Sequence, residues 1–374
     1  MVDHVAQGPQ QIGTLTALDT ARDWLLSGLK LPQARLCSLS EAQGMVTAAR
    51  SLAPHVLPVT DIALRDGWAL SSMSIAGAST YSPVALIRAP VAVCIGEPIP
   101  LECDCVVEPS SIEWIGSIAQ AVAEALPGEG LRRKGEDAKS GDLLIEQGQM
   151  IGPLQQLVLQ AAGLLEINIR QPRILLLNSG AADTTTQMLA RLIKERGGLP
   201  LMDDFRGELA RLITKHAADL VLLIGGTGSG KSDHSVDWLR AQGDVFCHGL
   251  ALEPGRTAAL ARMSSCPVVA VPGLPAQALG LWFGLLACVH DHLTGFKAPR
   301  TTGALAAKIA SRVGVTEVAL LEQQGTQFVP LAIGDMPLRH LSRATHLLLI
   351  EARSEGYGAG QTIEPVALRH FADE

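Results

Sequence analysis

Residues 219–234, DLVLLIGGTGSGKSDH, place five consecutive apolar residues directly before a glycine-rich segment. An unbroken apolar run such as Leu220–Ile224 is typical of a strand buried on both faces of a parallel sheet. Four glycines within residues 225–230 then allow positive φ and close approach of the backbone to a ligand. We expect Ser232 or Asp233 to cap a following helix that ends at Gly243.

A glycine loop between a strand end and a helix start collects free backbone N–H groups at the positive end of the helix dipole, so it predicts a site for phosphate or another oxyanion. Residues 225–232 also satisfy G-x-x-x-x-G-K-S, the phosphate loop of nucleotide hydrolases. No later apolar strand ends in an acidic residue that could hold magnesium for that reaction. A glycine-rich turn without a ligand is the third interpretation.

The composition limits the class of protein. A chain of 374 residues with 47% hydrophobic and 18% charged residues predicts two to four folded domains. The net charge of −7 argues against a nucleic-acid partner. No apolar run approaches 18 residues and the seven cysteines lack zinc spacing, so we expect a cytoplasmic protein with reduced thiols and no membrane partner.

Strand and helix patterns alternate from about residue 173 to residue 293, which predicts a doubly wound parallel sheet. Ligands bind such sheets beyond the carboxyl ends of the strands. Ser179-Gly180, the glycine loop and Pro272-Gly273 all follow predicted strands. Short apolar segments before and after this region predict small β domains, so the fold class is a multidomain α/β plus β protein.

Several further motifs occur in a fixed order: DIALRDGWAL at 61–70, GEPIPLECDCVV at 96–107, PGEGLRRKGED at 127–137, LALEPGRTAALA at 250–261 and VPGLPAQAL at 271–279. Together with GGTGSGKSD at 225–233, they resemble the collinear motifs of the molybdopterin molybdenumtransferase family, the MoeA proteins and the gephyrin E domain. In that family the glycine loop reads GGxxxGxxD, and Asp233 rather than Lys231 is the functional residue.

The resemblance implies a molybdenum cofactor biosynthesis enzyme that binds adenylylated molybdopterin and inserts molybdate with release of AMP. It also implies Mg²⁺, a pterin phosphate as the small-molecule partner, and a homodimer. Catalytic and metal-binding roles fall on Asp66, Asp137 and Asp233. The substrate-binding residues that it implies are Ser179, Gly180, Asp183, Gly225, Gly226, Thr227, Gly228, Arg132, Arg133, Arg256, Pro272 and Gly273.

The chain departs from the family pattern where molybdate would bind. KPGKP has become Glu253-Pro254-Gly255-Arg256-Thr257, the serine of PGNPVS is Gln277, and the acidic TGDE turn is shortened to residues 179–182, SGAA. The alternative function is therefore a non-catalytic paralogue that stores or delivers molybdopterin or the finished cofactor. The nucleotide hydrolase is the less favoured alternative.

The motif order predicts four domains. Residues 1–70 and 135–171 form a split N-terminal domain, and residues 71–134 form an inserted small β domain. Residues 172–297 form the α/β molybdopterin-binding domain, and residues 298–374 form a C-terminal β domain.

Overall fold

A computed structural model describes residues 10–180, 183–205, 208–299 and 301–368. These residues form two compact units. The first contains the chain up to Ala49, residues 147–153 and the chain from Glu166 onward; the second contains Arg50–Glu146 and Leu154–Leu165. The four-domain boundaries stay a prediction. No helix in the described ranges is long and apolar enough to cross a membrane.

The main sheet of the first unit has six strands, in the spatial order Leu199–Asp204, Arg173–Asn178, Leu220–Ile224, Cys266–Val271, Ala259–Met263 and Asp244–His248. The first four strands are parallel, as the alternating pattern predicted. The last two pair antiparallel, which the sequence prediction missed. Both are five residues long, without the long apolar run that marks the central strand.

Helices cover both faces of this sheet, so its inner strands are buried on both sides. Alternate residues of the central strand divide between two apolar clusters: Val221 and Leu223 pack with one, Leu220, Leu222 and Ile224 with the other. The helices of the first unit are Leu18–Gly28, Asp183–Glu195, Leu209–His216, Ser235–Gln242, Pro275–Leu281, Ala287–Thr294 and Leu338–Leu341. A π-helical turn, Trp282–Leu286, joins two of them.

A second sheet in the first unit has seven strands. Six follow the order Thr362–Ile363, Gly303–Leu305, Gln327–Ile333, Thr316–Gln324, His346–Ile350 and Val366–Ala367. The seventh, Leu252–Glu253, pairs in parallel with the start of Thr316–Gln324. Two further pairs join Arg35–Ser38 with Glu166–Ile169 and Ile309–Ala310 with Gly356–Tyr357.

The second unit consists mainly of short strands. One three-stranded sheet contains Val91–Val93, Gly67–Leu70 and Cys105–Val107, and another contains Val84–Ala85, Ile118–Ala121 and Ile112–Ile115. Ile62–Ala63 pairs with Leu131–Arg132, and Ser51–Leu52 with Leu143–Ile145. Short 3₁₀ turns lie at Ser72–Ile75 and Pro109–Ser111, and the helix Pro153–Ala161 begins at the boundary between the units.

Candidate functional site

A cleft of about 870 Å³ lies beyond the carboxyl ends of the parallel strands of the first unit. Three loops that the sequence placed there line it: Ser179-Gly180, residues 225–228 of the glycine loop, and Pro272-Gly273. The adjacent Ala181 and Ala182, which belong to the shortened acidic turn, lie outside the described residues. The strand order therefore brings together loops that are far apart in sequence, as expected for a doubly wound sheet.

The carbonyl groups at the start of the glycine loop all accept hydrogen bonds from the protein. The Gly225 carbonyl accepts from Ser235 Oγ at 2.8 Å, and the Gly226 carbonyl accepts from the Ser235 amide at 3.1 Å. Gln10 Nε2 donates to the carbonyls of Gly226 and Gly228. His248 Nε2 donates to the Thr227 carbonyl at 2.9 Å. These carbonyl groups are therefore directed at donors of the protein.

The amide N–H groups of the same loop, unlike its carbonyl groups, mostly lack a hydrogen-bond partner within the described residues. Gly225 donates to Val271 and Gly230 donates to Asp233, but the amides of residues 226–229 have no acceptor within the described parts of the chain. In a planar trans peptide the C=O of one residue and the N–H of the next point in opposite directions. Since the carbonyls are bonded to protein groups, these four amides are directed the other way. Successive free amides of this kind bind anions.

Asp233 lines the cleft, but its local role differs from the prediction. Its Oδ2 atom accepts the Gly230 amide at 2.8 Å, and its own amide donates to the Gly230 carbonyl at 3.0 Å. The helix begins only at Ser235, and neither Ser232 nor Asp233 caps it, so the predicted cap is wrong. A turn closed by Asp233 takes the place of the first helical turn. The other carboxylate oxygen, Oδ1, has no partner among the described residues.

The opposite wall of the cleft carries Glu253, Arg256 and Thr257. Arg256 is exposed and forms no ion pair with any described residue. Its neighbours are fixed: the Gly255 amide donates to Gln277 Oε1 at 2.7 Å, and the Thr257 hydroxyl lies 2.9 Å from that of Thr227. Arg256 therefore has a positive charge that no described carboxylate neutralises, and the contacts of its neighbours hold its backbone in place.

Asp183 is not among the residues that line the cleft, although the resemblance implied a substrate contact. It begins the helix Asp183–Glu195, and its Oδ1 accepts from Asn178 Nδ2 at 2.9 Å. The oxygen of the same Asn178 side chain, Oδ1, accepts the Gly180 amide at 2.9 Å. Asp183 thus helps to fix the Ser179-Gly180 loop through Asn178.

The remaining predicted site residues lie in the second unit. Asp66 Oδ1 accepts the Ile95 amide at 2.8 Å, and Asp137 Oδ1 accepts from Arg132 Nη1 at 2.7 Å. Arg132 is therefore occupied by an internal ion pair. Arg133, Lys134 and Glu136 line a depression of about 460 Å³, and neither of the two cations forms an ion pair with a described residue.

The described residues contain no group of three or more His, Cys, Asp or Glu side chains that could hold a metal ion. Asp66 and Asp137 belong to one compact unit and Asp233 to the other. Each carboxylate also has one oxygen engaged by an amide or a guanidinium. The three aspartates therefore do not form such a group within the described residues, and their metal-binding role stays a prediction.

Sequence reasoning missed Gln10 and His248. Gln10 lies near the start of the chain, far from any motif, and no pattern in the sequence connects it to the loop. His248 ends an edge strand that was not predicted. Thr257 and Gln277 stand out in the sequence only as departures from a motif, whereas in the structure they connect the cleft walls.

A glycine loop with free amides at the carboxyl edge of a doubly wound sheet defines an anion-binding α/β protein, here with β-rich parts before and after the sheet. The family model described as "MoeA N-terminal region (domain I and II)" matches residues 16–163, and that described as "Probable molybdopterin binding domain" matches residues 173–289. The chain belongs to the MoeA-like family, which confirms the resemblance of its motifs.

Two relatives and one solved structure show how similar this chain is to other proteins of that family. Molybdopterin molybdenumtransferase 2 of Mycobacterium tuberculosis is 25% identical over 285 residues, 64% of this chain and 70% of that protein. Molybdopterin molybdenumtransferase of Haemophilus influenzae is 26% identical over 319 residues, 76% and 79% of the two chains. A molybdopterin biosynthesis moeA protein from Pyrococcus horikoshii OT3 has a TM-score of 0.70 at 19% identity, covering 95% of this chain and all of that one. That similarity confirms the fold.

Proposed function

We propose that the protein is a molybdopterin molybdenumtransferase that binds adenylylated molybdopterin in the cleft and inserts molybdate with release of AMP. The observation that carries this proposal is the set of free amides at residues 226–229, of which residues 226–228 line a cleft large enough for a pterin phosphate. The names of the relatives supply the substrate class.

Arg256 is the cation that we assign to the oxyanion in the cleft. It lines the cavity, is exposed, and has no carboxylate partner among the described residues. A guanidinium donates several hydrogen bonds in a fixed geometry, which suits a phosphate or molybdate oxygen. Asp233 Oδ1 has no partner among the described residues, so it stays available to a substrate or a metal.

The presence of Glu253 in the cleft favours a second candidate, a paralogue that holds the pterin without inserting metal. Its side chain belongs to the residues that line the cleft, at the position where the family motif has lysine. A carboxylate there repels molybdate, and such repulsion is stronger in a partly dry site than in water. The two candidates therefore share pterin binding and differ in the insertion step.

The geometry of Lys231 does not support the nucleotide-hydrolase alternative. Lys231 and Ser232 are exposed and lie in a turn, and the helix begins three residues after Ser232. In a phosphate loop the lysine and the following hydroxyl act from the start of the helix, next to the nucleotide phosphates.

To test both candidates, the protein is purified from a host that makes molybdopterin but lacks metal insertion. The retained ligand is then identified by mass spectrometry. Retained pterin phosphate supports both candidates, and its absence contradicts both. Molybdate is then added, and AMP and pterin-bound molybdenum are measured. Their appearance supports the transferase, whereas retained pterin that takes up no metal supports the paralogue. We also expect a homodimer, which light scattering at micromolar concentration checks.

A further inference from the structure

Two side chains outside the family motifs hold the carbonyl groups of the glycine loop. Gln10 and His248, here called the carbonyl clamp, bond the carbonyls of Gly226, Thr227 and Gly228. Both are buried, at 3% and 6% exposure, so the bonds that they form are shielded from water. A loop that contains several glycines has many accessible backbone conformations, and these bonds select one of them.

We propose that Gln10 and His248 are positioning residues for anion binding, because they turn the amides of residues 227–229 away from the clamp and toward the ligand. Each clamped carbonyl belongs to the same planar peptide as the next amide, so fixing the C=O fixes the N–H that points in the opposite direction. The inference deepens the proposed function and rests on it for the identity of the ligand as a pterin phosphate.

The hydrogen bonding of the Gln10 side chain indicates that this residue does more than stabilise the fold. Its Oε1 atom is buried and has no hydrogen-bond partner within the described residues, while Nε2 reaches two loop carbonyls. A buried acceptor without a partner is unfavourable, and an apolar side chain of the same size would avoid that cost. The two bonds to the loop are what such an apolar residue could not supply.

His248 donates from a defined ring nitrogen. The Thr227 carbonyl can only accept, so Nε2 carries the proton of this hydrogen bond, and Arg240 Nη2 lies 3.5 Å from the other ring nitrogen, Nδ1. The segment with Gln10 is also anchored. Thr16 donates to the carbonyl of Gly249, the residue after His248, and accepts from the Ala251 amide. Both members of the clamp are thus attached to the same stretch of backbone.

The test measures binding of inorganic phosphate to the full chain by isothermal titration calorimetry, with thermal unfolding of each variant measured in parallel. Gln10→Met and His248→Phe remove the donors and keep most of the side-chain volume. Each is expected to weaken phosphate binding roughly three- to tenfold, the effect of one or two lost hydrogen bonds on the loop. His248→Gln keeps a donor at a similar reach and is expected to restore most of the affinity.

Ile193→Val is the matched control, because Ile193 is fully buried near the end of the helix Asp183–Glu195 and does not line the cleft. It is expected to lower thermal stability without changing phosphate affinity. Unchanged phosphate affinity in both donor-deleted variants would overturn the proposal, as would failure of His248→Gln to recover binding or no phosphate binding by the parent. Retention of pterin is measured separately from phosphate binding. Loss of pterin from the parent contradicts the proposed function. Retained pterin supports that function even if the phosphate measurements overturn the role of Gln10 and His248.

Discussion

The hydroxyl groups of Thr227 and Thr257 lie 2.9 Å apart and join the glycine loop to the opposite wall of the cleft. Thr227 is only 2% exposed, so the bond is largely shielded from water. The family motif has proline at position 257, and that residue could not form this link. The exchange of proline for threonine, a departure from the motif in the sequence, therefore supplies a structural connection directly beside Arg256.

Thr257→Val is expected to destabilise the fold by about 1–3 kcal/mol, because it leaves the buried Thr227 hydroxyl without its partner. Thr257→Ser keeps the hydroxyl and is expected to lose much less. Urea unfolding of the parent and both variants measures the difference. The Thr227→Val/Thr257→Val double variant should recover part of the loss, since no buried hydroxyl is left unpaired. Additive losses in the double variant would show that the two hydroxyl groups are not coupled.

Gly226→Ala is expected to lower stability by about 1–2 kcal/mol and to abolish retention of pterin. Gly226 has a φ of +67°, and an added Cβ would lie 2.5 Å from Ser235 Oγ, which bonds the Gly225 carbonyl. Gly358→Ala is the matched control, because Gly358 does not line the cleft and a Cβ there meets no atom within 4 Å. Thermal unfolding and mass spectrometry of retained ligand check both. Equal retention by the two variants would contradict the role of the loop.

The sequence predicted the sheet and the loops because those features are local. The apolar run Leu220–Ile224 and the glycines after it show burial and backbone freedom directly in the residue types. The parallel arrangement then determines which loop ends meet, so the residue pattern alone groups the cleft residues from Ser179 to Gly273. Departures such as Gln277 are visible only by comparison with the motifs.

Contacts across long sequence separations could not be read in the same way. Gln10 bonds Gly226 over 216 positions, and no periodicity encodes that pairing. The predicted start of the helix is also wrong, because an aspartate before a helical segment is as consistent with a cap as with a loop closure. Asp233 forms the loop closure, since its carboxylate reaches the Gly230 amide instead of an amide of the helix.

Asp233→Ala and Asp233→Asn are expected to separate the two roles of this residue. Alanine removes the acceptor of the Gly230 amide and is expected to lower stability by about 1 kcal/mol. Asparagine keeps a carbonyl oxygen for that amide and is expected to retain the stability of the parent, but it removes the negative charge of Oδ1. If the carboxylate serves substrate or metal, Asp233→Asn loses molybdenum insertion while its unfolding curve matches the parent. Full activity in Asp233→Asn would restrict the residue to closing the loop.

His290 is fully buried on the helix Ala287–Thr294, and both of its ring nitrogens lack a hydrogen-bond partner within the described residues. Burial, with a smaller contribution from the Arg196 guanidinium, lowers the pKa of His290 to about 3. Arg196 is itself paired with Asp291 at 2.7 Å, and burial raises the pKa of Asp291. The imidazole is therefore neutral in the folded protein over the whole range in which an exposed histidine titrates.

The sign of the resulting pH dependence follows from proton counting. Between the unfolded pKa of about 6.5 and the lowered folded pKa, the unfolded chain binds a proton at His290 that the folded protein does not. The free energy of unfolding therefore falls as the pH decreases through this range, by at most about 1.4 kcal/mol per pH unit. His290→Met removes the titration, and we expect its stability to fall less steeply than that of the parent between about pH 6.5 and pH 4. Urea unfolding of the parent and of His290→Met at several pH values measures both slopes. The titration of Asp291 contributes equally to the two slopes, provided that its ion pair with Arg196 is intact in both proteins. Identical slopes would show that folding does not lower the pKa of His290.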